Sequence, residues 1–277
     1  MPMTMETLNL VAVVAHATQA VTVLCILVIQ QHNNTASAFF DHGRFPLSKT
    51  VRTFKNNLVT TTQITSGTIE VPIIILFFFI LSACFQGAAA FYYRGRSGYL
   101  RFVEYSLSAS IMMLAISAET GITDAYFMQS AFVLTWATQI LGLTAELSQT
   151  TQCPYLWVLP HCAAWVTCLS AYLPSFDAFF LSTSLSDKQP PAYVTALVVI
   201  QMILFICFGI VQALSLTQKA VWYRRLYCHQ NYIIQNFTYN FDMEIERIEV
   251  ATESLYIILS LVAKTSLAWI ILVPALL

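Results

Sequence analysis

Apolar residues along the chain are gathered into seven runs, and polar residues collect between them. A helix of about 20 apolar residues spans the hydrocarbon core of a bilayer, so each run predicts one membrane-spanning helix. The predicted spans cover residues 8–30, 68–93, 99–118, 124–145, 154–173, 192–217 and 254–273. The pattern therefore predicts an all-α membrane protein, in which residues 1–277 form a single seven-transmembrane helix bundle.

Composition supports a membrane protein and excludes several other classes. Hydrophobic residues make up 57% of the 277 residues and charged residues 10%, whereas a soluble domain carries about 25% charged residues. The net charge of −1 gives no basic patch for nucleic acid. The seven cysteines show no CxxC or Cys/His ligand spacing, and His161 beside Cys162 is no exception. We expect no metal, no disulfide framework, no nucleic-acid partner and no enzyme activity.

Loop charges predict the orientation of the bundle, because lysine and arginine are enriched in cytoplasmic loops. With the N-terminus inside, the inner loops hold seven basic residues and the outer loops five. The inner set is Arg94, Arg96, Arg101, Lys219, Arg224, Arg225 and Arg247; the outer set is Arg44, Lys49, Arg52, Lys55 and Lys188. We therefore expect a multi-pass protein with a cytoplasmic N-terminus and an extracellular C-terminus.

Two connections are unusually long. Residues 31–67 form an outer loop that is predicted to fold as a small cap or hairpin. Residues 219–253 form an inner loop whose second half alternates acidic and apolar residues. This inner segment is either a helical extension on the inner surface or a docking segment for a signalling partner.

The last span, "YIILSLVAKTSLAW", carries Lys264 at its centre, where a charge costs roughly 3 kcal/mol on insertion scales. One interpretation is an ion pair that only joins helices. The other is a desolvated amine that forms a Schiff base, for which retinal is the obvious carbonyl partner in a seven-helix protein. A protonated Schiff base needs an anion, and Glu104 in the third span is the best candidate. Alternatively, Glu104 is an interfacial carboxylate that pairs with Arg101, one helical turn away.

Residues around these two fit a site for an elongated polyene. Ser260 lies four residues before Lys264, on the same helix face. Tyr105, Trp165, Phe205 and Trp269 are predicted to wall an apolar pocket, although aromatic residues are 13% of the chain and each can equally belong to ordinary packing.

Six further residues are candidates for proton handling. In the predicted orientation, His16, Ser82 and Gln86 fall with Glu104 in the inner half or near the midplane. Ordinary roles remain open for each: a satisfied buried histidine for His16, and hydrogen bonds between helices for Ser82 and Gln86. Carboxylates near span ends are interfacial groups or proton relays, namely Glu70 and Glu119 at the outer face and Glu146 at the inner face.

Four stretches resemble one known family. "RFVEYSLSASIMM" and "YIILSLVAKTSLAW" closely resemble the third and seventh helices of heliorhodopsins, and "AHATQAV" and "IEVP" are similar to their first two helices. The resemblance implies all-trans retinal on Lys264, Glu104 as counterion, Ser260 near the Schiff base, an inside N-terminus and a homodimer. The sequence departs from the family at Gln86, where members often have histidine, and in its longer stretch before the seventh helix.

These features predict a light sensor that signals through an inner-face partner. Light-gated passive proton transport is the alternative, and a receptor or transporter outside photochemistry is a third hypothesis. Active pumping is not expected, because the polar groups crowd the inner side of Lys264 while the outer half of the third and seventh spans is nearly dry.

Overall fold

The chain folds into a bundle of helices with one β-hairpin at its end. The computed structural model describes residues 5–32, 44–55, 58–92, 97–149, 153–185, 192–229 and 235–276. Within these ranges the elements are α1 (Met5–His32), β1 (Arg44–Lys55), β2 (Leu58–Glu70), α2 (Val71–Tyr92), α3 (Ser97–Glu119), α4 (Ala125–Ser148), α5 (Val158–Leu185), α6 (Ala192–His229) and α7 (Gln235–Leu276). Each predicted span has its helix, so a mostly helical bundle is confirmed, although the β-hairpin means that the chain is not all-α.

Six of these helices are long and apolar enough to cross a membrane, and α4 is the exception among the described residues. Its length of 24 residues is sufficient. Its apolar character is diluted by polar side chains, which are Gln129, Ser130, Thr135, Thr138, Gln139 and Thr144. The helix nevertheless packs between α3 and α5, so it is an integral part of the bundle.

The helices form a closed ring around α3. Each helix packs on the next in sequence, α7 returns to α1, and α3 contacts all of α2, α4, α5, α6 and α7. In the apolar membrane-spanning stretch of α3, 67% of the residues are buried inside the protein, against 22% in that of α1. Small buried side chains allow this close approach, among them Ser106, Ser108, Ser110, Ala115 and Ala118. Any group on α3 near its middle is therefore enclosed by protein.

The predicted outer loop contains a β-hairpin. Strands β1 and β2 pair antiparallel from Arg44↔Glu70 to Lys55↔Leu58, in segments rich in the β-branched residues that favour strands. The backbone N–H of Ser48 donates to the carbonyl of Thr123, 2.8 Å away, just before α4 begins. This contact places the hairpin at the end of the bundle where α1 ends and α2 begins, which we call the hairpin end. The second strand continues to Glu70, beyond the predicted loop boundary at residue 67.

The predicted inner loop, residues 219–253, is largely helical. Helix α6 has 38 residues and α7 has 42, which correspond to lengths of about 57 and 63 Å, against about 30 Å for a bilayer core. Gln201 on α6 bonds to Ala263 on α7, and from that level both helices run about 42 Å away from the hairpin end. Lys219 and Glu249 join the two extensions at 2.9 Å. Residues 230–234 lie outside the described ranges.

Single cysteines test the predicted orientation. Gln63 in the hairpin and Met243 in α7 both have exposed side chains and lie at opposite ends of the bundle. In a background without the seven native cysteines, we expect an impermeant maleimide to label Gln63→Cys in intact cells. Met243→Cys should react only after permeabilisation. The reverse pattern would place the N-terminus outside.

Candidate functional site

A buried ion pair joins three helices near the middle of the bundle. Lys264 Nζ on α7 donates to Glu104 Oε1 on α3 and to Ser82 Oγ on α2, each at 2.5 Å. Both charged side chains are only 3% exposed. Gln86 Nε2 donates to the second oxygen of Glu104 at 3.3 Å, and the ammonium lies 5.4 Å from the ring centre of Tyr105. The structure thus brings Lys264 and Glu104 together, with both carboxylate oxygens engaged.

Arg101 forms a separate charge cluster and does not pair with Glu104. Its guanidinium binds Glu146 Oε1 at 2.8 Å and also binds Glu253 Oε1. The rings of Phe102 and Tyr256 lie 4.6 and 4.1 Å from the guanidinium carbon. We refer to Arg101, Glu146 and Glu253 as the arginine cluster and to this side of the bundle as the Glu253 end. Because these two carboxylates neutralise Arg101, Glu104 is free to pair with Lys264.

A cavity lies between α3, α4, α5, α6 and α7. Lys264 lines this cavity, and so do four residues predicted to surround a polyene, namely Tyr105, Trp165, Phe205 and Ser260. The amine therefore borders a largely apolar, aromatic-walled space.

Trp269 does not join the other predicted pocket residues. Its half-buried side chain packs against the main apolar core and is not part of the cavity lining. The helix geometry explains this position, because five residues from Lys264 correspond to a rotation of about 140° around the axis. Ser260, four residues away, lies on nearly the same face as the lysine.

One polar atom without a partner supports a ligand in the cavity. Ser108 Oγ is buried in the lining and makes no hydrogen bond among the described residues. Such a group calls for a bound molecule or water, since an unsatisfied buried hydroxyl is costly. The aromatic wall is held in place as well, since Tyr105 donates its hydroxyl to the Tyr256 carbonyl at 2.9 Å and Phe208 stacks on Tyr256. An apolar, aromatic-walled space that ends at an amine fits retinal.

Comparison with known families agrees with this geometry. The sequence model of the heliorhodopsin family matches residues 5–239. The chain belongs to the heliorhodopsin family. Membership identifies a retinal-binding rhodopsin and, together with the apolar helices, an integral multi-pass membrane protein. A comparison with curated proteins gave no match. The family match ends within α7 before Lys264, so the geometry around the lysine is independent support.

The candidates for proton handling in this heliorhodopsin separate into two groups. Ser82 and Gln86 contact the ion pair directly. His16 is fully buried on α1. One turn further along α1, Gln19 Nε2 donates to Thr265 Oγ1 at 2.8 Å, next to Lys264. These residues approach the lysine from the helices opposite the cavity.

The three terminal carboxylates lie away from Lys264. Glu70 pairs with Arg44 at 2.7 Å in the hairpin, and Glu146 belongs to the arginine cluster. Glu119 is the last residue of α3 and lies about 22 Å along the helix from Glu104. Each of the three lies near one end of the bundle, whereas Lys264 lies near its middle.

The arginine cluster is expected to stabilise the fold. Replacing Arg101 by glutamine leaves Glu146 and Glu253 without their buried partner, which should cost about 3 kcal/mol or more. Arg44→Gln removes an ion pair whose arginine is 47% exposed and should cost less than about 1 kcal/mol. Thermal unfolding of both variants in detergent measures the difference. Equal shifts in midpoint would contradict a structural role for the cluster.

Proposed function

We propose that the chain is a light-absorbing photoreceptor in which Lys264 holds retinal and Glu104 is the counterion. The observation that carries the proposal is the 2.5 Å contact between the buried carboxylate of Glu104 and the buried amine of Lys264, which lines the largely apolar central cavity. Retinal, bound as a protonated Schiff base and in its all-trans form in the dark, supplies visible absorption and a light-driven change of shape. Tyr105, Trp165, Phe205 and Ser260 would surround it.

The protein's contribution is to keep a proton and a positive charge on the Lys264 nitrogen. Glu104 supplies the opposite charge in a water-poor interior, where an ion pair is much stronger than in solvent. Gln86 donates to the carboxylate and fixes its orientation, while the Ser82 hydroxyl accepts from the amine. Within the cluster of His16, Ser82, Gln86 and Glu104, the Glu104 carboxylate and the His16 imidazole are the groups that could accept a proton from this nitrogen and return it, while the hydroxyl and the amide would only orient or relay it.

The distribution of polar and apolar residues favours sensing over pumping. From the level of the ion pair to the hairpin end, the helices contribute to the main apolar core. Its buried members beyond the ion pair on α3 and α7 are Met112, Met113, Ala115, Ile116, Ala118, Leu267, Ala268, Ile271 and Leu272. A pump needs acceptor and donor groups on both sides of the chromophore, and these core residues of the described helices carry no titratable side chain. Proton movement toward the polar side and back is therefore favoured.

The output of the sensor is proposed to lie at the Glu253 end. The extensions of α6 and α7 reach well beyond a bilayer core and provide a surface for a signalling partner. In the predicted orientation this surface faces the cytoplasm. A homodimer is expected from the family resemblance.

Passive proton conduction is the second candidate function, and the cavities at the Glu253 end favour it. A wide polar cavity lined by Glu146, Glu249 and Glu253 opens at that end, and a smaller cavity contains Gln86 and Glu104. Arg101 lines both of these and the central cavity. Arg101 therefore lies between the open end and the cavities beside the ion pair, and conduction would require light to open the packed core on the opposite side.

Removing the lysine tests the chromophore assignment. We expect Lys264→Ala, purified and mixed with all-trans-retinal, to show no visible band, because the variant lacks the amine beside Glu104. Lys219→Ala is the matched control, since Lys219 lies outside the cavity in the α6 extension and should leave pigment formation intact. A bleachable visible pigment in Lys264→Ala would refute the proposal.

Neutralising the counterion should change the spectrum. In Glu104→Gln the anion no longer stabilises positive charge on the Lys264 nitrogen, so we expect a red-shifted band or a larger fraction of deprotonated pigment. Glu249→Gln, whose carboxylate pairs with Lys219 in the extensions of α6 and α7, should keep the wild-type spectrum. Spectra recorded across a pH titration distinguish the two outcomes. If Glu104→Gln matches wild type throughout, the counterion is another residue.

Electrical recording separates sensing, conduction and pumping. Under voltage clamp we expect no sustained photocurrent at zero driving force, because the hairpin half of the bundle has a packed apolar core. A steady current under that condition would contradict the absence of pumping. A current that reverses at the proton equilibrium potential would establish the passive pathway instead of pure sensing.

A further inference from the structure

A chain of hydrogen bonds links three helices along one wall of the central cavity. Trp165 Nε1 on α5 donates to His161 Nε2, one turn earlier, at 3.0 Å. His161 Nδ1 lies 3.2 Å from Gln212 Oε1 on α6, and Gln212 Nε2 donates to the Gly142 carbonyl on α4 at 2.9 Å. The four residues all line the cavity that Lys264 borders. These hydrogen bonds could not be predicted from the sequence, where His161 stands beside Cys162 without any ligand spacing.

The direction of each hydrogen bond follows from the first one. An indole N–H can only donate, so His161 Nε2 must be an unprotonated acceptor. The neutral ring then carries its hydrogen on Nδ1 and donates it to Gln212 Oε1. The amide nitrogen of Gln212 is left to donate to Gly142. His161 is therefore a neutral histidine with both ring nitrogens used, which makes it a positioning residue for Trp165.

Gly209 holds the same indole from a second side. A methyl group at this α6 position would overlap the ring atoms of Trp165, so the indole lies directly against the helix backbone. Glycine is required here because of this close approach and not because of its backbone conformation. The nitrogen of the indole is fixed by His161 and its six-membered ring by Gly209.

We propose that His161, Gln212 and Gly209 clamp Trp165, and that the clamped indole limits the ring size of the polyene aldehyde accepted beside Lys264. A tryptophan side chain has two rotatable bonds, and a wall that can rotate would admit bulkier rings. The hydrogen bond and the glycine contact remove that freedom, as a supporting shell does in a precise binding site. The inference deepens the proposed function and rests on the cavity being the retinal site.

Matched substitutions at His161 separate the clamp from simple packing. Glutamine can still offer one acceptor to Trp165 and one donor to Gln212, whereas leucine offers neither. Ultraviolet resonance Raman spectra of the protein without retinal report the hydrogen bonding of Trp165, taken as the difference between each protein and its Trp165→Phe form. We expect His161→Gln to keep the wild-type signal and His161→Leu to lose it. An unchanged signal in His161→Leu would refute the clamp.

Aldehyde selection is then measured as the ratio of pigment-formation rates with a bulkier-ring retinal analogue and with all-trans-retinal. We expect this ratio to rise several-fold in His161→Leu and to stay at the wild-type value in His161→Gln. Gly209→Ala should slow uptake of both aldehydes, and adding Trp165→Phe should restore it by making room for the methyl group. Equal ratios in wild type and His161→Leu, or no rescue at Gly209, would overturn the proposal.

Failure of the clamp and failure of the proposed function give different results. If wild type forms no pigment with either aldehyde, the retinal site is refuted, and the aldehyde selection with it. The Raman comparison needs no chromophore and still decides whether His161 holds Trp165. If His161→Leu does not fold, His161→Gln and the rescue of Gly209→Ala by Trp165→Phe remain as tests.

Discussion

The arrangement of the bundle depends on one constraint, a lysine ammonium placed deep among apolar helices. Lys264 is 2% exposed and could not remain charged there without a carboxylate at hydrogen-bond distance. Glu104 meets that need because α3 passes through the centre of the helix ring, where it contacts α2 and α7 at once. Ser82 and Gln86 then complete the hydrogen bonds of the pair. The pair therefore sets how α2, α3 and α7 pack, and it places an amine at the cavity wall.

The second charge cluster protects this pairing. Arg101 lies less than one turn from Glu104 on α3 and would otherwise compete with Lys264 for the carboxylate. Glu146 on α4 and Glu253 on α7 neutralise it instead, between two aromatic rings. Arg101 also lines all three cavities. The side chain that separates the two charge clusters therefore also lies between the Glu253 end and the interior of the bundle.

Periodicity and the position of single charged residues allowed much of this to be predicted. Seven helices follow from apolar run lengths, and the contact between Lys264 and Glu104 follows from the need of a buried ammonium for an anion. The outer loop was predicted only as a small cap or a hairpin. Contacts between distant segments could not be predicted in this way. Glu253 lay in a segment predicted as a helical extension or a docking segment, without a partner for its carboxylate. Trp269 lies on a different helix face from Lys264, and the role of His161 requires knowledge of where α4, α5 and α6 meet. Each miss involves tertiary geometry that one sequence does not encode locally.

The central claim is that Lys264 is the residue that carries the chromophore, and covalent mapping tests it most directly. Borohydride reduction of the reconstituted pigment converts the imine to a stable amine, and mass spectrometry of the digested protein then locates the retinyl group. The account predicts the added mass on the peptide that contains Lys264 and on no other lysine peptide. A retinyl group on Lys219 or another lysine, or a visible pigment without any covalent adduct, would contradict it.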